Sequence, residues 1–251
     1  MAGAFKDHFS RVAEGYRAYR PRYPAALFDW LAATAPSRAL AVDVGCGNGQ
    51  ATLALADRFE AVVGVDPSPE QIAKADPHPR ATYRVAPAEA TGLPEREADC
   101  VLVAQALHWL DLGRFYPEVE RMARPGAVFA AATYALARID PVVDPVVEHL
   151  YRDVVGPDWP PERRHTETGY RSLPMPFPEI EPPALAMEED WSLGQLLGYL
   201  RTWSAVTRHR ARTGVDPVAL VEPRLRQAWG ATERRRVVWP LAVRAGRVGR
   251  P

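Results

Sequence analysis

Between positions 39 and 134 the chain switches repeatedly between short apolar runs and stretches whose apolar residues recur at helical spacing. The runs "ALAVDVG" (39–45), "AVVGVD" (61–66), "ATYRVAP" (81–87), "DCVLVAQAL" (99–107) and "AVFAAATY" (127–134) are rich in Val and Ala and too short for free-standing helices. Their near-continuous apolar character predicts strands covered on both faces, as in a parallel sheet. The segments between them predict helices over 50–58, 69–75 and 112–123. Strand and helix in regular alternation predict an α/β fold, an open Rossmann-like sheet with helices on both faces.

The flanks follow a different pattern. Pro21 and Pro24 divide the opening segment into a leading amphipathic piece and a helix over 25–35. After the alternating region, 141–155 reads as helical, while 156–183 is rich in proline and aromatic residues, as a lid or insertion would be. Ser192 is a candidate N-cap for a helix running through 190–212, and a further helix covers 216–229. "RRVVWPLAVRAGRV" (235–248) predicts the last strand, where Pro240 calls for an edge position or a bulge. The expected organisation is a single domain over 1–251. Its core covers about 36–135 and 236–246, with an N-terminal lid over about 1–35 and a substrate lid or insertion over about 140–235.

Composition narrows the partners. With 251 residues and 47% hydrophobic content the chain can build one sizeable core. No apolar run approaches the roughly 20 residues that span a membrane, and the opening "MAGAFKDHFS" lacks the apolar centre of a secretory signal. A cytoplasmic protein, monomeric or weakly dimeric, is the expectation. Basic and acidic residues balance at 31 each, which gives no support to nucleic acid or an anionic membrane as partner. Nearly all the basic charge is arginine, the lysines being Lys6 and Lys74, so no single arginine stands out. Two cysteines, Cys46 and Cys100, argue against a disulfide framework or a zinc site, and the histidines show no metal-ligand spacing, so no metal is expected. Cys46 has no evident paired base and reads as a small residue in a crowded turn.

The chemistry begins at "DVGCGNGQ". A strand that ends in glycines and continues into a helix offers bare backbone N–H groups and a positive helix end to a ligand. Gly45, Gly47 and Gly49 make G-x-G-x-G, and Gln50 occupies the slot where a dinucleotide-binding loop needs its third glycine. The loop has no lysine, which excludes a triphosphate loop. Asp43 stands two residues before the first glycine, able to orient the loop or receive an ammonium group. Asp66, followed by Pro67, ends the next strand, placed to hydrogen-bond a ribose diol. A ligand with an amino group, a carboxylate and a ribose but no phosphate fits both acids, and S-adenosylmethionine is such a ligand.

The ordered set "VDVGCGNGQ", "VGVDPS", "APAEATGLP", "ADCVLVAQALHWLD" and "MARPGAVFA" resembles the successive motifs of class I S-adenosylmethionine-dependent methyltransferases. The flanking "AYRPRYP", "QALHWLD", "GYLRTWSA" and "VVWPLAV" are similar to the trans-aconitate methyltransferase-like subgroup; 156–183 has no match there. The resemblance implies a seven-stranded sheet with its last strand antiparallel, helical additions over the cofactor, and methyl transfer to a small molecule. It implies Ala88 and Glu89 beside the adenine, Gln105 facing the methionine moiety, and Tyr16, Tyr19 and Arg20 laid over the cofactor, Arg20 able to pair with its carboxylate.

Methyl transfer from a sulfonium is an in-line displacement that depends on positioning and exclusion of water. A carboxylate acceptor, giving O-methylation, needs no base; a hydroxyl or amine acceptor would use one. His108 is the candidate base or substrate hydrogen bond, or else a histidine packed under the loop. Trp109, Tyr134, Tyr199, Arg201 and Trp203 are candidates to line the acceptor site, Tyr199 and Trp203 sharing a helix face. Two other functions remain open from sequence: a non-catalytic S-adenosylmethionine-binding regulator, and a nicotinamide-dependent oxidoreductase, which Gln50 disfavours.

Overall fold

A computed structural model describes residues 19–249. Helix α1 (Ala25–Thr34) precedes strand β1 (Leu40–Val44), helix α2 (Gln50–Ala56), strand β2 (Ala61–Asp66), the short helix α3 (Pro69–Ile72) and strand β3 (Ala81–Val85). Strand β4 (Ala98–Ala104), a 3-10 turn at Leu107–Trp109, helix α4 (Leu112–Met122) and strand β5 (Ala123–Tyr134) follow. The sheet order is β3-β2-β1-β4-β5, all parallel, and the last strand, β8 (Arg235–Val248), pairs antiparallel with β5 from Ala127↔Val248 to Tyr134↔Leu241. The predicted Rossmann-like sheet with helices around it and an antiparallel last strand is the fold observed; among the described residues the sheet has eight strands rather than the seven expected.

The chain between β5 and β8 differs from expectation. The helix foreseen at 141–155 is α5 (Asp144–His149) continued by a π-helical turn, Leu150–Val154. Within 156–183 lie α6 (Arg163–Glu167) and β6 (Glu179–Ile180). Strand β7 (Leu185–Trp191) was not foreseen; its Ala186, Glu188 and Asp190 alternate with Met187, Glu189 and Trp191, and it pairs with the first half of β8. The helix expected over 190–212 is two, α7 (Leu193–Arg201) and α8 (Ser204–Thr213), followed by α9 (Pro217–Trp229). Ser192 caps α7 as foreseen, in a capping box with Gln195. At the break Thr202 donates twice to the Tyr199 carbonyl, through its N–H at 2.9 Å and its Oγ1 at 2.6 Å, replacing the i→i−4 bond that the interrupted helix no longer makes.

Strand β8 lies inside the sheet, with β5 on one side and β6 and β7 on the other. Pro240 is tolerated there for a local reason. Val238 exchanges backbone hydrogen bonds with Arg138, and the β5 ladder resumes at Leu241. Backbone N–H groups alternate between the two sides of a strand, so the one Pro240 lacks would point into the interval between these pairings.

Alternation along the strands feeds two cores. Ala41, Cys100, Leu102, Val128 and Ala130 face α1, α2 and the α7–α9 layer; Val42, Val44, Val101, Val103 and Phe129 face α4. Each fully buried large side chain contributes about 1.5–3 kcal/mol of transfer free energy. Trp239 is fully buried and keeps its Nε1–H satisfied by the Tyr199 hydroxyl at 3.1 Å. At the amino ends of the strands, buried Asp99 accepts from the Ala39 and Leu40 N–H groups, both at 3.0 Å, and faces Arg124 at 3.1 Å. That acid ties α1's exit to the sheet, leaving the carboxyl ends of β1, β2, β4 and β5 as the edge where a ligand crevice opens. Among the described residues no helix is long and apolar enough to cross a membrane.

Candidate active site

The loop after β1 can be built only from glycine at three points. Gly45, Gly47 and Gly49 have φ of 69°, 54° and 86°, in the left-handed region where a Cβ is strained. A Cβ on Gly45 would also stand 2.5 Å from the Ala106 Cβ, and one on Gly49 would run into the Tyr83 ring. Over Gly47 the nearest atom, Gln71 Oε1, would be 3.9 Å from a Cβ, an ordinary contact, so the backbone there is bare but not crowded. The loop is fastened to β2: Gly45 and Cys46 N–H donate to the Val65 carbonyl at 2.8 and 3.1 Å. Asp66 completes the fastening, its Oδ2 accepting from Gly47 N–H and its Oδ1 from Ser68 N–H, both at 2.9 Å.

Asp43 is fully buried beneath this loop. Its Oδ2 accepts from Thr52 Oγ1 on α2 at 2.7 Å, while its Oδ1 is buried with no hydrogen-bond partner among the described residues. Burial pushes its pKa up to about 7, the Thr52 hydrogen bond opposing and the Asp66 charge adding to the rise. A buried carboxylate oxygen without a donor is costly unless a cation or donor arrives. Cys46 is buried too, and its thiol is pushed well above the usual range by burial and the two nearby acids, so it carries no thiolate.

At the end of β4 the backbone turns sharply. Gln105 has φ of 57°, a conformation that costs roughly 1–3 kcal/mol in a side-chain-bearing residue. Its amide holds it there, Nε2 donating to the Tyr134 carbonyl at 3.0 Å and Oε1 accepting from Thr133 Oγ1 at 2.8 Å. The turn then presents His108, whose Nδ1 lies 2.9 Å from the Tyr170 hydroxyl and whose ring packs 4.6 Å from that of Trp109. Burial, with the charges of Arg163 and His165, pushes the His108 pKa down to about 3. Ala88 is buried in the 3-10 turn Ala88–Ala90, and Glu89 Oε1 accepts from Asp111 N–H ahead of α4 at 2.9 Å.

The roof comes from both flanks. Arg20 donates to the Tyr134 hydroxyl at 3.1 Å and the Thr202 carbonyl at 3.5 Å, and lies 5.7 Å from the Tyr199 ring centroid. Tyr19 rests on α7, where a Cβ at Gly198 would be 2.6 Å from its ring. Gln50 Nε2 ties the glycine loop to this segment through the Pro21 carbonyl at 3.3 Å. Trp203 packs edge-on to Tyr199 and Tyr151. Arg201 turns away: it pairs with Asp216 at 3.0 Å and Glu222 at 3.2 Å on the α9 side. Tyr16 and the leading amphipathic piece lie outside the described residues.

A family model described as a methyltransferase domain matches residues 42–131. A solved structure from Anaeromyxobacter dehalogenans, described as a type II methyltransferase, is 59% identical, covering 93% of this chain and 100% of its own, with a TM-score of 0.88. A Dictyostelium discoideum protein described as a methyltransferase is 30% identical over 91% of this chain and 89% of its own. The chain belongs to the S-adenosylmethionine-dependent methyltransferases. The trans-aconitate 2-methyltransferase of Methylobacterium radiotolerans is 38% identical over 36% of each chain.

The geometry fits the methyltransferase cofactor at two points. The partnerless Asp43 oxygen suits an ammonium group, and the uncrowded, side-chain-free backbone at Gly47 suits a ligand lying against the loop. Among the candidates chosen from sequence, Asp43, the three glycines, Asp66, Gln105, His108 and Trp109 gather at one edge of the sheet, with Arg20, Tyr134 and Tyr199 above it. Arg201 does not join them. Sequence inspection missed Thr52, Thr133, Tyr170 and Arg163 of this methyltransferase. Thr52 sits nine residues beyond Asp43 on α2, a spacing that could have suggested it; Tyr170 and Arg163 lie in the proline-rich stretch, where no periodicity exists to read.

Proposed function

We propose that this methyltransferase methylates a carboxylate oxygen of a small acid. S-adenosylmethionine supplies a methyl group on a sulfonium, and the products are a methyl ester and S-adenosylhomocysteine. The observation that carries this reading is the state of His108, the side chain at the β4 edge able to accept a proton. With its ring half-buried against Tyr170 and its pKa pushed down to about 3, it is neutral and a poor base at neutral pH. General-base catalysis works best when the base's pKa lies near the operating pH. A hydroxyl or amine acceptor would want such a base. A carboxylate arrives ionised, bonds to the methyl carbon as the carbon–sulfur bond breaks, and releases no proton. Neutral His108 then serves as a hydrogen-bonding group fixed by Tyr170. The partial relative named for trans-aconitate supports an acidic acceptor.

On this reading Asp43 receives the cofactor's ammonium group, and Gly45, Gly47 and Gly49 leave backbone bare beneath it. Asp66 and Pro67 border the ribose, Ala88 and Glu89 the adenine, and Gln105 the methionine portion. Tyr19 and Arg20 cover the cofactor from the N-terminal side, and the chain over about 140–235 closes the acceptor side with Tyr134, Tyr199 and Trp203 above Trp109.

Incubation with methyl-labelled cofactor and a panel of small acids, phenols and amines tests the proposal. Label should enter the acids, and mild alkali should release it as volatile methanol. With cofactor saturating, kcat should stay level between about pH 6 and 9, since the methyl-transfer step releases no proton and Asp43, with its pKa near 7, acts on cofactor binding rather than on that step. Replacement His108→Gln should raise KM more than it lowers kcat. An alkali-stable product, or a kcat at saturating cofactor that climbs with a pKa near 7, overturns the carboxylate reading.

A further inference from the structure

Arg163 opens α6, which packs against the Leu107–Trp109 turn and β5. Its guanidinium is half-buried and held on one side only. Nε donates to the Tyr151 hydroxyl at 3.0 Å, and the guanidinium carbon lies 4.9 Å from the Trp159 ring centroid and 5.6 Å from that of Tyr151. Tyr151 in turn donates to Glu167 at 2.5 Å, so that carboxylate stands one hydrogen bond removed. Among the described residues Arg163 forms no ion pair, and its Nη1 and Nη2 carry no hydrogen bond. Half-buried guanidinium groups in this chain ordinarily find carboxylates, as Arg201 and Arg235 do.

The location gives this charge a meaning. Tyr151, Trp203 and Tyr199, with Trp159 against them, belong to the core on one face of the sheet, and Tyr170 belongs to the core on the other. Arg163 touches the first group, and its charge reaches Tyr170 and His108 beside the second, adding to the burial that depresses His108 and partly opposing the burial that raises Tyr170. It therefore sits over the carboxyl ends of β4 and β5, where the two cores meet. Rings continue from it toward the cofactor side: Trp159 to Trp203 at 5.7 Å, Trp203 to Tyr199 at 5.9 Å, and Tyr199 to Arg20 at 5.7 Å. This packed row holds two guanidinium groups a fixed distance apart.

A guanidinium stacked on rings and fixed through Nε is preorganised to take a carboxylate in bidentate fashion through its remaining nitrogens. A carboxylate clamped in that way is a poorer nucleophile, because its charge is already neutralised. We propose that Arg163 determines acceptor specificity by anchoring a second, non-reacting carboxylate, so that the enzyme selects di- and tricarboxylic acids over monocarboxylic ones. This rests on the carboxylate reading above and adds a residue and a selection rule to it.

Calorimetry on the complex with S-adenosylhomocysteine provides the test, with trans-aconitate as the polyacid probe and crotonate as the monoacid. Arg163→Met should weaken trans-aconitate at least tenfold and leave crotonate and S-adenosylhomocysteine within about twofold. Arg163→Lys, which keeps the charge and the stem, should recover part of the loss. If the wild-type complex binds trans-aconitate and Arg163→Met binds it equally well, the anchor is refuted while the carboxylate reading stands. If the wild-type complex binds neither acid and methylates no carboxylate, that reading falls and takes the anchor with it. Equal losses for Met and Lys, with S-adenosylhomocysteine affinity falling in parallel, mark a structural role and overturn the proposal.

Discussion

Asp43→Asn is expected to raise the melting temperature of the cofactor-free protein at pH 8 while weakening S-adenosylmethionine at least tenfold. In the folded chain the Asp43 carboxyl keeps its proton up to about pH 7, against 3.8 for the ordinary group. Between those values the folded state binds more protons than the unfolded one, so stability falls as pH rises, and above 7 the full penalty is present. That difference corresponds to about 4 kcal/mol at most. Asparagine keeps the shape and can still bond Thr52, but it never ionises. The two proteins should therefore melt alike below about pH 4 and diverge in the variant's favour by several degrees above 7. The same substitution removes the negative charge that Oδ1 would offer an ammonium group, a charge-assisted bond worth about 1.5–3 kcal/mol. Thermal scans across pH, paired with cofactor calorimetry, check both halves. Parallel melting curves at every pH would show that Asp43 titrates normally.

Asp66→Ala is expected to cost cofactor affinity roughly a hundredfold or more, since it strips two backbone N–H groups as well as any bond to the sugar. Gly47 and Ser68 both donate to this carboxylate at 2.9 Å. Without it the loop loses the tie that holds Gly47 at φ of 54°, and the melting temperature should drop by a few degrees. Loop support and ribose contact can be separated with a second ligand. Wild type should prefer S-adenosylhomocysteine to its 2′-deoxy analogue by at least tenfold, and the variant should lose that preference. A variant that binds both ligands more weakly but keeps the wild-type ratio would leave Asp66 as loop support only.

Much of this site was legible in the sequence because its physics is local. A glycine at positive φ announces itself by type, and an acid that ends an apolar run is conspicuous. Ser192 declared α7 in the same way, by a residue whose side chain caps its own helix. What stayed hidden depended on partners far along the chain. Nothing near His108 points to Tyr170, 62 residues away in a segment without periodicity. Strand β7 escaped because Glu188, Glu189 and Asp190 mask an alternation that only Met187 and Trp191 carry to the core. The α7–α8 break has no glycine or proline to mark it; Trp203, buried against Tyr151 and Tyr199, sits where the helix stops. Arg201 looked like Arg163 or Arg20 in a chain whose basic charge is almost all arginine, and only the position of Asp216 and Glu222 tells them apart.

The interior position of β8 has a consequence for biogenesis. Ala127 must wait for Val248, and β6 and β7 have no neighbour in the sheet until β8 emerges. During synthesis β5 therefore presents an unzipped margin while the whole roof is being translated. Late zippering between segments so distant in order is slow, and the open margin can pair with another nascent molecule. Chains released before β8 should consequently aggregate rather than fold.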